Sequence, residues 1–272
     1  MKISPYSYNI YVNSKANKKN ETSFTSTKEW DKNISHQTNF FRPDLDWKKT
    51  VDYITKEMPN DIHIYNFACS DGSEPYSLAM MLKDKLGNEK AEKYFPIKAF
   101  DITKKVIDKA KEGIIGITEV DNPESSMDVN LLEMNIKANY KDYFKKLPSD
   151  KYPDEQVGTI STMYNDIPVY AQQHKVSEEL RSAVDFEVAD ITKASRNPIY
   201  DKPSVVFFRN AWRYLDSDAT REQLTNNLFN NLKKGSIVLV GDAEKFDGDT
   251  KLLENAGFQP VESLENVYKK TY

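Results

Sequence analysis

At 272 residues, 39% hydrophobic and 29% charged, the chain can bury one sizeable core and has the balance of an ordinary globular protein. A net charge of −4 without a long basic block argues against nucleic acid as a partner, and no apolar run approaches the roughly 20 residues of a membrane span. The single cysteine, Cys69, excludes an internal disulfide framework, and His36, His63 and His174 share no metal-ligand spacing, so no metal is expected. No G-x-S-x-G elbow and no P-loop lysine occurs, which removes most hydrolase and phosphoryl-transfer signatures. The stretch MKISPYSYNIYVNSKANKKN lacks the apolar core of a signal peptide, and the expected location is the cytoplasm.

Residues 1–35 read as a polar, flexible extension, with one short strand expected at YSYNIYV. Six lysines against three acids give this segment +3, so −7 falls on the remainder. Order begins at Phe40. Trp47, Val51, Ile54 and Met58 recur at helical spacing behind Asp46, a natural N-cap. DIHIYNFA then predicts a strand, and EPYSLAMMLKDKLG a helix with Pro75 in its first turn and Gly87 as C-cap. FPIKAFDIT is a second strand and KKVIDKAKEGI a second helix. This order implies a parallel sheet with right-handed crossovers. The run from Ser125 to Leu147 reads as helix, and residues 154–172 as a β-rich hairpin within an insert at about 150–180. VDFEVADIT and the apolar KPSVVFFRNAW are further strands. A helix follows, with Leu224, Leu228 and Leu232 in register and a stop at Gly235. SIVLVGDAE is another strand, and the C-terminus reads as helix, glycine, then two closing strands.

Ligands of open parallel sheets sit beyond the carboxyl ends of the strands. The candidates there are Cys69 to Glu74, Asp101, Asp190 and Ile191, Arg209 and Asn210, and Gly241 to Glu244. Dinucleotide sites need G-x-G-x-x-G so that a pyrophosphate can meet bare backbone. Here the run is C-S-D-G-S-E, and Asp71 and Glu74 would repel a phosphate. A cationic, phosphate-free cofactor fits better, and S-adenosylmethionine is one. Glu74 would attract its cationic end, Gly72 would let the backbone come close to its methionine part, and Asp101 would accept from its ribose hydroxyls. Asp71 alone is explained as an acid favouring a helix N-terminus. Cys69 reads as a small buried hydrophobe, and Phe40, Phe41, Trp47 and Trp212 as core or pocket wall. Arg209 reads at least as well as a buried pairing residue as a catalytic one.

TNFFRPDLDW, CSDGSEPYSLAM, AFDITKKVIDKAKEGI, DYF, VDFEVADI, VVFFRNAWRYLD and LKKGSIVLVGDAE occur in the order found in CheR-type methyltransferases, and the chain resembles that family over about residues 36–270. The resemblance implies a Rossmann-like class I methyltransferase domain over 36–272. Its sheet would be mostly parallel, with helices on both faces, an antiparallel C-terminal strand and a small β-rich insert. It implies methylation of glutamate carboxylates in chemotaxis receptors, with S-adenosylmethionine as cofactor and a protein as partner. Thr38 and Arg42 would reach the cofactor or reacting centre, Glu74 and Asp101 its methionine and ribose parts, Asp190 and Ile191 the adenine, and Asn210 would complete the pocket. Tyr214 matches the tyrosine near the transferred methyl, with simple packing as its alternative. In the family an insert near 156–170 can also dock partners by strand pairing.

The departures bear on the acceptor. The family's N-terminal helical domain has no counterpart in residues 1–35. His36, Ser73, Asp190, Phe208, Asp242 and Ala243 replace the usual residues, and Pro43 stands where an acid is common. Two alternatives follow: a methyltransferase acting on another protein group or a small molecule, and a cofactor-binding regulatory protein without turnover.

Overall fold

The computed structural model describes residues 40–117, 138–161, 166–193 and 200–272. His36, Thr38, the extension over 1–35 with its expected strand, and most of the helix expected from Ser125 lie outside the described residues.

The first half alternates as the sequence predicts. Helix α1 (Trp47–Lys56) starts at Asp46, whose side chain accepts from the Lys49 N–H. Strand β1 (His63–Phe67) leads into α2 (Ser73–Leu86), which is followed by the short α3 (Asn88–Ala91). Strand β2 (Ile97–Asp101) leads into α4 (Lys104–Glu112). The chain then leaves this layer through β3 (Ile114–Ile117), β4 (Phe144–Lys146), β5 (Glu155–Ser161) and β6 (Asp166–Val176). A short α5 (Glu178–Arg181) returns it to β7 (Val184–Val188) and β8 (Ser204–Phe207). The remainder is α6 (Asp218–Asn231), β9 (Ile237–Leu239), α7 (Asp242–Asp247), α8 (Thr250–Ala256), β10 (Gln259–Pro260) and β11 (Val267–Lys269).

The main sheet has seven strands in the order β10-β11-β9-β8-β1-β2-β7. β7, β2, β1, β8 and β9 are parallel, and β11 and β10 close the far edge antiparallel. Side-chain alternation sorts the core into two layers. Ile64, Val205, Phe207, Ile237 and Leu239 face one layer with Val51, Ile54, Leu78, Leu82 and Ile107. Tyr65, Phe67, Val206, Phe208, Val238 and Val240 face the other with Leu224, Leu228, Leu232 and Leu253. Helices therefore cover both faces of an α/β, Rossmann-like sheet, and its central strands are apolar on both sides. β7 at the edge alternates buried and exposed positions, as a one-sided strand should.

Two elements differ from expectation. Phe144–Lys146, at the end of the segment read as helix, is strand β4, and Ile114–Ile117, read as the end of a helix and a loop, is strand β3. Both pair antiparallel with β6, as β5 does, so the hairpin belongs to a wider antiparallel sheet. The I-I-G-I run is too short to show a period, and its partner strand lies some 60 residues away (Ile114 opposite Lys175).

Register aligns the carboxyl ends that matter. Asn66 lies opposite both Phe207 and Ala99, and Asp101 lies opposite Val188. Strand order reverses at β1, so the segments after β8, β1, β2 and β7 emerge side by side at one rim, where such folds hold ligands.

Candidate functional site

The β1–α2 turn passes through positive φ at Ala68 (54°), Ser70 (50°) and Gly72 (91°). Only the last is glycine, and a Cβ there would lie 2.7 Å from Phe186 Cζ, so both the backbone angle and the packing require it. Three of the turn's N–H groups are already used. Ser70 N donates to Asp101 Oδ2 (2.9 Å), Ser73 N to Asp71 Oδ1 (3.0 Å) and Gly72 N to the Cys69 carbonyl (3.0 Å). A pyrophosphate would find these three N–H groups closed to it. Asp71 precedes the N-cap Gly72 and accepts from Ser73 N (3.0 Å) and Oγ (2.8 Å) at the start of α2, and burial pushes its carboxyl up to about 6 against those hydrogen bonds. Burial and the nearby Asp101 and Asp71 charges push the Cys69 thiol well up, which keeps it an inert buried group.

Glu74, in the first turn of α2, accepts from Asn66 Nδ2 at 2.8 Å on Oε1 and from Arg209 Nη1 on Oε2. The Arg209 side chain is 1% exposed and lies over the Trp47 ring, and its other fork nitrogen, Nη2, donates to Asp44 Oδ1. Asp44 also accepts on Oδ2 from Asn210 Nδ2 (2.8 Å) and from the Asp242 N–H (3.3 Å). Burial would raise the Asp44 carboxyl, but Arg209, Asn210 and Arg42 outweigh it and hold it below the ordinary aspartate range. Arg209 is thus the buried pairing residue. Arg42 is the open one: its side chain is 33% exposed, with Nε 3.9 Å from Asp44 Oδ1. The segment bearing Arg42 is tied to α2 because Phe41 N donates to Ser77 Oγ (3.0 Å), so F-F-R and E-P-Y-S are coupled by one buried hydrogen bond. Phe41 also stacks on Tyr140 and Trp47 on Phe207, which makes these aromatics packing groups.

Asp101, 6% exposed, receives Ser70 N on one oxygen and Thr103 N (2.9 Å) on the other, leaving each oxygen a further lone pair. Past β7, Asp190 turns into its own loop, bonded to Thr192 N (3.0 Å) and Oγ1 (2.6 Å) and to Lys193 Nζ (3.0 Å). Burial is outweighed there too, and the Asp190 carboxyl is held low by Thr192 and Lys193. Ile191 beside it is half-buried against the second core layer. Asn210 sits at φ 57°, and its amide packs so closely over Gly241 that a Cβ there would lie 2.3 Å from Nδ2. Buried Glu244 organises this corner, accepting from the N–H groups of Asn210 (2.7 Å), Ala211 (2.9 Å), Trp212 (3.1 Å) and Gly241 (2.8 Å). The 3-10 turn Trp212–Tyr214 hangs from it and leaves Tyr214 half-buried.

Arg42, Glu74 and Asn210 are therefore joined through Asp44 and Arg209, with Gly72 in the adjoining turn, Asp101 bonded to that turn from the end of β2, and Asp190 and Ile191 one strand beyond. Sequence reasoning missed Asp44, Asn66 and the organising role of Glu244. The signal for Asp44 was present: an acid one residue after Pro43, the position where the family commonly has one. Acceptors dominate the rim, and the buried Asn66 Oδ1 beside Glu74 has no partner among the described residues. That acceptor-rich set suits an ammonium and a diol better than a phosphate, which fits S-adenosylmethionine.

Residues 36–146 and 141–261 match the family described as CheR methyltransferase, SAM binding domain. The chain is 29% identical over 231 residues to the chemotaxis protein methyltransferase of Borreliella burgdorferi, covering 82% of this chain and 69% of that one. To the probable chemotaxis protein methyltransferase of Rhizobium etli it is 25% identical over 231 residues, covering 81% and 72%. The corresponding Escherichia coli protein is 25% identical over 209 residues, covering 77% and 60%. With a seven-stranded, mostly parallel sheet and an acceptor-rich rim, the chain belongs to the CheR methyltransferase family and is an S-adenosylmethionine-dependent methyltransferase.

Proposed function

We propose that the chain methylates a glutamate carboxylate of a chemoreceptor in the cytoplasm. On this reading residues 36–272 form the methyltransferase domain behind a polar extension over 1–35. The observation that carries it is a rim rich in carboxylates, with one part-exposed guanidinium and no nearby histidine among the described residues. His63 opens β1 at the opposite end of that strand, and His174 lies in β6. When bound, S-adenosylmethionine supplies an electrophilic methyl on a cationic sulfur, and an ionised carboxylate can take it without losing a proton.

The chain's own task is then positioning. Arg42 would orient the acceptor carboxylate through its fork, a role that Arg209, buried and committed to two carboxylates, is not free to take. Glu74 would hold the ammonium end, and Asp101 the ribose hydroxyls. Ile191 would flank the adenine. Asp190, able only to accept while ionised, would take the adenine amino group. Asn210, Gly72 and Thr38 would complete the cofactor pocket, and the Tyr214 hydroxyl would border the methyl.

The test is transfer of labelled methyl from S-adenosylmethionine to the signalling fragment of a chemoreceptor. Base-labile label that disappears when the receptor's glutamates are changed to alanine is the expected result. A base-stable product would overturn the carboxyl reading, and an unlabelled receptor would overturn the acceptor. Asp101→Ala should weaken cofactor binding by at least about tenfold in calorimetry, the scale of one lost charge-assisted contact.

A further inference from the structure

The buried charges behind the cofactor rim do not cancel. Arg209 brings one positive charge to two carboxylates, Asp44 and Glu74, one on each arm of its fork. The three side chains are 1%, 11% and 12% exposed, so water screens them little. Arg42 adds only partial, solvent-screened compensation, because its guanidinium is a third exposed and meets Asp44 only at 3.9 Å. Asp44 stands on the loop before α1, whereas Arg209 follows β8 and Glu74 opens α2, so this balance is set from three separate segments.

We propose that Asp44 is a positioning residue that keeps Glu74 electronegative: by claiming half of the Arg209 fork, it leaves the buried triad with one net negative charge for the cationic cofactor. Without Asp44 the guanidinium would belong to Glu74 alone, and the pair would be neutral. S-adenosylmethionine carries a sulfonium that S-adenosylhomocysteine lacks, while both carry the ammonium. The residual charge therefore favours substrate over product, and it also helps product release after the sulfur loses its charge. This rests on the reading that Glu74 faces the methionine end.

The experiment measures the dissociation constants of both ligands by calorimetry on the full chain. Asp44→Asn should lower the preference for S-adenosylmethionine over S-adenosylhomocysteine by about fivefold to tenfold, the size of one lost charge at partial burial. A purely structural role would weaken both ligands equally and leave that ratio unchanged, which would overturn the proposal. Asp44→Glu keeps the charge, so the ratio should hold even if both affinities fall. A ratio shifted as in the asparagine variant would also overturn it. Glu74→Gln separates the two readings. Unchanged S-adenosylmethionine affinity there removes Glu74 from the cofactor site, whereas a weakened affinity with a constant ratio in Asp44→Asn removes this inference alone.

Discussion

Burial divides the work between two arginines, Arg209 and Arg42, at the same rim. Arg209 is closed in by Asp44, Glu74 and the Trp47 ring, while Arg42 keeps a third of its side chain in solvent. Arg42→Lys preserves the charge but loses the planar fork. It should lower kcat on a protein acceptor by about 10²-fold, with cofactor affinity within about twofold of wild type; steady-state kinetics alongside calorimetry check this. Asp71 makes a second prediction at the same scale. Its folded carboxyl titrates near 6 against an ordinary 3.8. A raised carboxyl binds its proton more tightly when folded, so its contribution is fully present below about pH 4 and is lost as the pH rises to about 6. The stability of wild type relative to Asp71→Asn should therefore fall across that window by at most about 3 kcal/mol, and by less because solvent reaches this turn. Urea denaturation of both proteins at several pH values would show a flat difference if Asp71 were unshifted.

At the scale of elements, α2 is the piece that the others are built around. Its Ser77 hydroxyl donates to the Ser73 carbonyl (2.7 Å) and accepts from Phe41 N, holding the loop that carries Arg42 and Asp44. Ser77→Ala strands a buried N–H and should cost about 1–3 kcal/mol, read as a lowered urea midpoint at unchanged slope. Its activity should fall more than its stability, because Arg42 is set by that bond. Local elements were legible because their causes are local: the Asp46 cap, the apolar runs of β8 and β9, and the Leu224, Leu228, Leu232 stripe. The pairing of Asp44 was not, because its partner Arg209 lies 165 residues away and only the sheet order brings them together. Glu244, read as one of the residues following a strand, lies in the first turn of α7, and its hold on the Asn210–Trp212 backbone depends on φ at Asn210, which no side-chain pattern encodes. β3 and β4 failed for the same reason. Each is three or four residues long, and both exist by pairing with β6.

For the whole molecule, the parallel sheet and the antiparallel sheet containing β6 share one chain, with β3 and β6 bracketing everything between α4 and α5. Among the described residues no helix is long and apolar enough to cross a membrane, and no cluster of candidate metal ligands occurs. Ligand binding at the rim should act on the cooperative unit that includes β1, β2, β7 and β8. S-adenosylhomocysteine at about a hundred times its dissociation constant should add about 2.7 kcal/mol, raising Tm by about 5–10 °C for a chain of this size. Scanning calorimetry with and without ligand tests this, and an unmoved Tm would mean that binding does not reach the fold.

The turn after β1 spends three of its N–H groups on Asp101, Asp71 and the Cys69 carbonyl. Adenine nucleotides share the adenosine half of the cofactor and are abundant wherever this protein would work. A turn with open N–H groups would let them compete, and turnover would follow the energy state of the cell. Here three of those donors are taken and the nearby carboxylates are negative, so on the proposed site a triphosphate would gain little beyond its nucleoside. The methyltransferase would then be insulated from ATP, its rate following the ratio of methyl donor to demethylated product.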